Sequence, residues 1–157
     1  MIDAIDQKIL DALQSDCRQT IADISGQVGL SPSACHRRIG ILEVRGVIER
    51  YAARLNGKAL GYVMTFYVEI SLESQSEAVL AAFEKAALAR PEVLECHLMT
   101  GSADYLMKVA APDTDAYERV YRQVISALPH VSRIQSSLVM KTIKRWNGYP
   151  PRINTGR

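Results

Sequence analysis

Ser33, His36 and Arg37 recur at spacings of three and four residues, so on a helix they share one face. A hydroxyl, an imidazole and a guanidinium on one face can donate hydrogen bonds to base edges and phosphate oxygens. Gly40 falls on the same side, and its missing side chain lets backbone come close to whatever that face meets. Cys35, Ile39 and Leu42 form a narrow apolar stripe nearly opposite, as a helix with one buried side requires. Arg38 lies nearer that stripe and is expected to reach a phosphate or a helical neighbour rather than a base. The competing reading is a solvated face on an ordinary three-helix core. Agreement among helix caps, spacing and charge favours nucleic acid.

The elements that hold this face are legible on either side. Thr20 with Asp23 three residues later is a capping pattern, and Ile21, Ile24 and Val28 then fall on one helical face. Gly29 ends that helix. Ser31 and Pro32 open the next, as N-cap and first helical residue, and Ser31 joins the candidate DNA contacts. Two short helices joined this tightly fit a helix-turn-helix whose second helix enters the DNA major groove. A first helix is expected over residues 4–14, with Ile5, Ile9, Leu10 and Leu13 inward. Gly46 stops the third helix, and residues 47–55 read as a short strand or wing with Arg50 and Arg54 available to phosphates. Asn56-Gly57 is a turn signal. Residues 1–57 are thus expected to form a winged helix-turn-helix domain.

After Gly61 the period changes to two. Met64, Phe66, Val68, Ile70 and Leu72 share one strand face, and Thr65, Glu69 and Ser71 the other, with Val63 and Tyr67. A helix is expected over 76–89, strands over 93–99 and 105–110 with a tight loop between, a helix from Pro112-Asp113 to Leu128, and a last strand over 131–143. The order βαββαβ over residues 58–145 is the ferredoxin-like arrangement, so the chain is read as α+β. Two helices cover one sheet face. A second copy, packed sheet to sheet, would cover the other, which otherwise leaves Val63, Tyr67 and their neighbours exposed.

The chain has 157 residues, 48% hydrophobic and 23% charged, with a net charge of +2. No apolar run approaches the roughly 20 residues of a membrane span, and the acidic, amphipathic start is unlike a signal peptide. A cytoplasmic, nucleoid-associated location is expected. Residues 31–54 hold five basic against two acidic residues, residues 61–140 six against ten, and residues 141–157 five against none. A basic segment beside an acidic body suggests that one region meets a polyanion. Residues 146–157 form a basic tail expected to pack loosely or touch DNA without specificity. Cys17, Cys35 and Cys96 have neither disulfide nor zinc spacing; no metal and no cofactor are expected, Cys35 being read as core and Cys96 as a sheet residue.

The chain resembles the Lrp/AsnC, or feast/famine, family of transcriptional regulators. The resemblance rests on IDQKILDALQSDCRQTIADISGQVGLSPSACHRRIGILEVRGVIERYAARLN, then ECHLMTGSADYLMKV, then SSLVMKTIK, in that order. It implies a DNA-binding regulator with a roughly palindromic operator, homodimers that assemble to octamers, and a small effector, usually an amino acid, bound between dimers. It also implies that Thr100, Gly101, Ser102, Asp104 and Tyr105 line the effector pocket, with Ser136, Ser137, Leu138 and Val139 as another wall. Ser102 and Ala103 are small, which implies a roomier or more polar pocket. Two readings of Asp104 stay open: pairing with a ligand ammonium, or capping its own turn.

Two rival functions fit parts of this pattern. No paired-carboxylate motif, nucleophile elbow or phosphate-cradling glycine pattern supports an enzyme, although haem-biosynthetic decarboxylases related to the family share its two-domain layout. An effector-independent architectural DNA-binding protein is the other.

Overall fold

The computed structural model describes residues 2–150. They form two compact units. One comprises the described residues up to Arg54 together with those from Lys144 onward, the other Leu55–Ile143.

The first unit holds three helices, α1 (Ala4–Ser15), α2 (Ile21–Val28) and α3 (Pro32–Val44). Local chemistry fixes their starts. Asp3 Oδ1 accepts from the Ile5 and Asp6 amides at 2.9 and 2.8 Å, while Asp6 Oδ2 accepts from the Asp3 amide at 3.2 Å. Thr20 and Asp23 form the same reciprocal box on α2. Gly29, at φ 73°, caps α2 in the left-handed conformation, and the Ser31 hydroxyl accepts from the Ala34 amide to open α3. Ile9, Leu10, Ile24, Val28, Cys35, Ile39 and Leu42 form one buried cluster. Each fully buried aliphatic side chain of this kind contributes roughly 1.5–3 kcal/mol.

The expected strand over 47–55 does not form. Val47 and Ile48 pack against the helical core, and residues 49–55 run exposed and without regular structure. A strand needs a neighbour for its ladder of hydrogen bonds, and among the described residues this unit has none. The segment is held by side chains instead: the Tyr51 hydroxyl donates to Glu43 Oε1 at 2.8 Å. Burial, then Glu43, push the Tyr51 phenol up to about 12.

The second unit opens with a 3-10 turn, Gly57–Leu60, capped by the Asn56 side chain. Then follow β1 (Met64–Leu72), α4 (Glu77–Leu88), β2 (Val93–Leu98), β3 (Tyr105–Ala111), α5 (Thr114–Val120) and β4 (Val131–Leu138). The sheet order is β2-β3-β1-β4, antiparallel throughout. Phe66, Val68, Ile70, Leu72, Tyr105, Met107 and Val109 bury one face against Phe83, Ala87, Ile125 and Leu128. Two expectations are corrected. α5 gives way to a π-helical turn over Tyr121–Ile125, and β4 ends at Leu138, five residues early. Beyond Leu138 one ladder bond remains, from the Val139 amide to the Thr65 carbonyl at 2.9 Å; Met64, the first residue of β1, is already close by.

Candidate DNA-reading helix and effector surface

On α3 the caps and the apolar stripe decide which residues face out. Cys35, Ile39 and Leu42 are buried, and Ser33, His36 and Arg37 are exposed. The Ser31 and Ser33 hydroxyls lie 3.2 Å apart at the start of the helix. Arg50 is exposed in the following segment. This set matches the face read from the sequence.

Two other arginines of that set are engaged within the chain. Arg38 Nη1 lies 2.7 Å from both Asp3 Oδ2 and Asp6 Oδ1. Its place about 100° around the helix from Arg37 turns it toward α1, so it locks α3 to the start of α1 rather than facing a phosphate. The Asp6 amide and then the Arg38 guanidinium hold the Asp3 carboxyl below its usual 3.8, and the two carboxylates raise the Arg38 guanidinium in turn. Arg54 donates to the Trp146 carbonyl and, at 2.7 Å, to Asn147 Oδ1. The described part of the tail therefore lies on this unit, where Gln14 Nε2 also donates to the Tyr149 carbonyl at 2.9 Å. The tail's Arg152 and Arg157 lie outside the described residues.

In the second unit the face of the sheet away from the helices is uncovered. The register places Thr65, Tyr67, Glu69 and Ser71 of β1 there, beside Leu106 and Lys108 of β3 and Arg133, Gln135 and Ser137 of β4. The face is more polar than the sequence reading supposed. Lys108 Nζ lies 2.6 Å from Glu95 Oε1 and holds that carboxyl below its usual 4.5. At one end of the face lies a concavity of about 170 Å³, lined by Glu69, Ser71, Ser102, Ala103, Arg133 and Gln135. Among the described residues the Glu69 carboxylate has no ion-pair partner, while Arg133 Nη2 donates to Gln135 Oε1 at 3.0 Å.

Of the effector residues expected from the sequence, only Ser102 reaches this concavity with its side chain's neighbours. Thr100 and Gly101 (φ 145°) are exposed in the same loop. Asp104 is turned inward. Its Oδ2 accepts from the Leu72 amide at 2.7 Å and its Oδ1 from Gln75 Nε2 at 2.8 Å, so it ties the loop to the end of β1 rather than capping its own turn. Tyr105 is 2% exposed and packs on Phe83, with its hydroxyl donating to Glu84 Oε1 at 2.8 Å; burial pushes its phenol well up. It belongs to the core, as the alternation of β3 requires. Ser136 and Leu138 pair with Val68 and Phe66 on the helix side, where the Tyr117 hydroxyl donates to Ser136 Oγ at 2.5 Å. Ser137 pairs with Tyr67 on the open face, and Val139 lies beside Thr65. None of these four lines the concavity that the loop borders. Glu69, Ser71, Arg133 and Gln135 do, and they were missed. Strict alternation of β1 and β4 places all four on the uncovered face, and their polarity was the signal.

Residues 2–43 match the AsnC-type helix-turn-helix domain, and residues 65–148 match the Lrp/AsnC ligand binding domain. The chain is 37% identical over 146 residues to the leucine-responsive regulatory protein of Escherichia coli (strain K12), covering 93% of this chain and 89% of that one. It superposes on an AsnC family transcriptional regulator from Agrobacterium tumefaciens with a TM-score of 0.89 at 36% identity, covering 94% and 96% of the two chains. For a transcriptional regulator from Neisseria meningitidis, solved as an L-methionine complex, the TM-score is 0.88 at 32% identity, with 92% and 94% covered. These matches span both the three-helix unit and the sheet unit, and the chain belongs to the Lrp/AsnC family of DNA-binding transcriptional regulators.

Proposed function

We propose that this regulator reads a roughly palindromic operator through α3 and changes its grip on DNA when it binds an amino acid. Ser33, His36 and Arg37 contact bases or adjacent phosphates, and Ser31 and Arg50 contact phosphates. Two recognition helices related by a two-fold axis call for two related half-sites. The protein works in the cytoplasm on nucleoid DNA, as a regulator and not an enzyme.

The observation that carries the effector reading is the concavity between the 100–104 loop and the open sheet face. Glu69 suits an α-ammonium and Arg133 an α-carboxylate, with Ser71, Ser102 and Gln135 as neutral donors and acceptors between them. Asp104 fixes the loop rather than touching the ligand. The hollow is shallow in one chain. A second copy packed on the open face closes the dimer, and dimers joined into an octamer supply further walls, Ser136, Ser137, Leu138 and Val139 of a neighbouring subunit among them. A site shared by separate bodies is one whose occupancy can differ between their arrangements, as a switch demands. The complex of the Neisseria meningitidis protein makes L-methionine the first ligand to try.

The test is a thermal-shift screen of the full chain against each of the twenty amino acids, followed by DNA binding with the hits. A ligand of the native state raises the melting temperature. At least one amino acid should do so and alter affinity for DNA enriched from a random pool. If none changes melting or DNA affinity, the effector reading falls and the architectural alternative stands.

A further inference from the structure

The exposed face of α3 carries more than hydrogen-bond donors. At about 100° per residue, Ser33, Gly40, Ile41 and Val44 all fall within about 60° of Arg37. Ile41 is 43% exposed and Val44 90% exposed, and neither joins the apolar cluster of the unit. The outward face is thus polar in its first two turns and apolar in its last, with Gly40 at the change.

Gly40 is not explained by the chain itself. It lies inside α3 without a positive φ, so the backbone does not demand glycine. A Cβ built there would meet nothing within 4 Å, so packing does not demand it either. Alanine would strengthen the helix. Gly26 in α2 is equally unhindered, but of the two glycines inside α-helices among the described residues only Gly40 shares a face with Arg37. A residue that weakens its helix and relieves no internal clash leaves room for something outside the chain. The donors beside it say what: Arg37 and His36 flank the gap, and a duplex presents both polar base edges and the thymine 5-methyl group in its major groove.

Resting on the reading of α3 as the recognition helix, we propose that Gly40 is a notch that brings the α3 backbone close to the groove floor, and that Ile41 packs on a thymine 5-methyl group. Arg37 then makes the polar contact and Ile41 the apolar one, on neighbouring base pairs. Operators of this protein carry a fixed thymine in each half-site.

The test uses the full-length protein and a duplex enriched by it from a random pool. Each thymine is replaced singly by deoxyuridine, which removes only the methyl group. Binding of the parent should weaken roughly fourfold at one position per half-site, the worth of one buried methyl, and Ile41→Ala should be indifferent to that replacement. Gly40→Ala should bind on the order of tenfold more weakly while melting at a higher temperature. The inference is overturned if no deoxyuridine matters, if Ile41→Ala keeps the full penalty, or if Gly40→Ala binds as tightly as the parent. It is equally overturned if Ile41→Ala leaves DNA binding intact and changes the sedimentation coefficient, because a second copy then covers this face. Arg37→Ala separates the two levels: unchanged binding there removes the recognition-helix reading itself, whereas weakened binding with deoxyuridine indifference removes only the role of Ile41.

Discussion

The Leu72 amide donates a 2.7 Å hydrogen bond to Asp104 Oδ2, so the last residue of β1 is held by the residue just before β3. Gln75 occupies the other carboxylate oxygen, and the Asp104 amide itself donates to the Ile70 carbonyl at 2.9 Å. The loop that borders the concavity is therefore anchored from three directions. Asp104→Ala leaves the half-buried Leu72 amide without its acceptor and should lower stability by about 1–2 kcal/mol in urea unfolding. Asp104→Asn keeps one acceptor oxygen and should lose less than half of that. An alanine variant as stable as the parent would show that the carboxylate anchors nothing.

Neighbouring arginines on α3 should separate cleanly. Arg37 is exposed, and Arg37→Ala should leave melting unchanged while weakening operator binding by roughly 1–3 kcal/mol. Arg38→Ala strands the Asp6 carboxylate, whose side chain is only 10% exposed, and should lower the melting temperature by roughly 2–4 °C. Circular dichroism melts and a DNA-binding titration on both variants decide it, and equal effects in both assays would refute the division.

Acid should loosen the same junction. Asp3 titrates below its usual 3.8 in the folded chain, so the stability it lends is present above that value and is lost as pH falls through the lower folded one. Melting temperature should drop steadily below about pH 4. In Asp3→Asn the drop should be shallower, measured against the parent at each pH, since Asp23 and Glu95 are also held below their usual values and titrate in both. Parallel curves for the two proteins would exclude Asp3 from the acid response.

Gly148 can be probed through the chain's single tryptophan. A Cβ at Gly148 would fall 1.8 Å from Gln14 Oε1, at a φ of 106° that side chains rarely adopt. Gly148→Ala should break the Gln14–Tyr149 bond and release the Trp146–Tyr149 edge contact. Acrylamide quenching of Trp146 should rise, with global stability nearly unchanged. Quenching identical to the parent's would mean that the tail does not depend on this contact.

What could be read from the sequence was what neighbours along the chain decide. The box at Thr20, the glycine after α2 and the serine-proline start of α3 are all settled within four residues, and alternation in β1 set which of its side chains are buried. What could not be read depends on distant partners. Whether 47–55 becomes a strand depends on a neighbouring strand, and among the described residues the helical unit has none. Arg54 looked free for phosphate because its partners stand 92 and 93 residues away. Tyr105 sat in a loop motif, yet the strand's period assigned it to the core. Glu69 was visible as a polar residue on the outer face of β1, but only the register of β1 with β4 brings Arg133 to the same hollow.

The DNA-binding unit is discontinuous: the chain leaves it after Arg54 and comes back at Lys144. The bonds from Arg54 to Trp146 and Asn147 clasp the outgoing and returning segments where they pass. A protease that nicks the exposed 47–55 segment therefore does not free the helices, because Gln14 of the smaller, helical fragment still donates to the Tyr149 carbonyl of the larger one. The nicked protein should migrate as one species under native conditions and as two in denaturant. Its two polypeptides would have to be pulled apart like a belt still buckled after it has been cut.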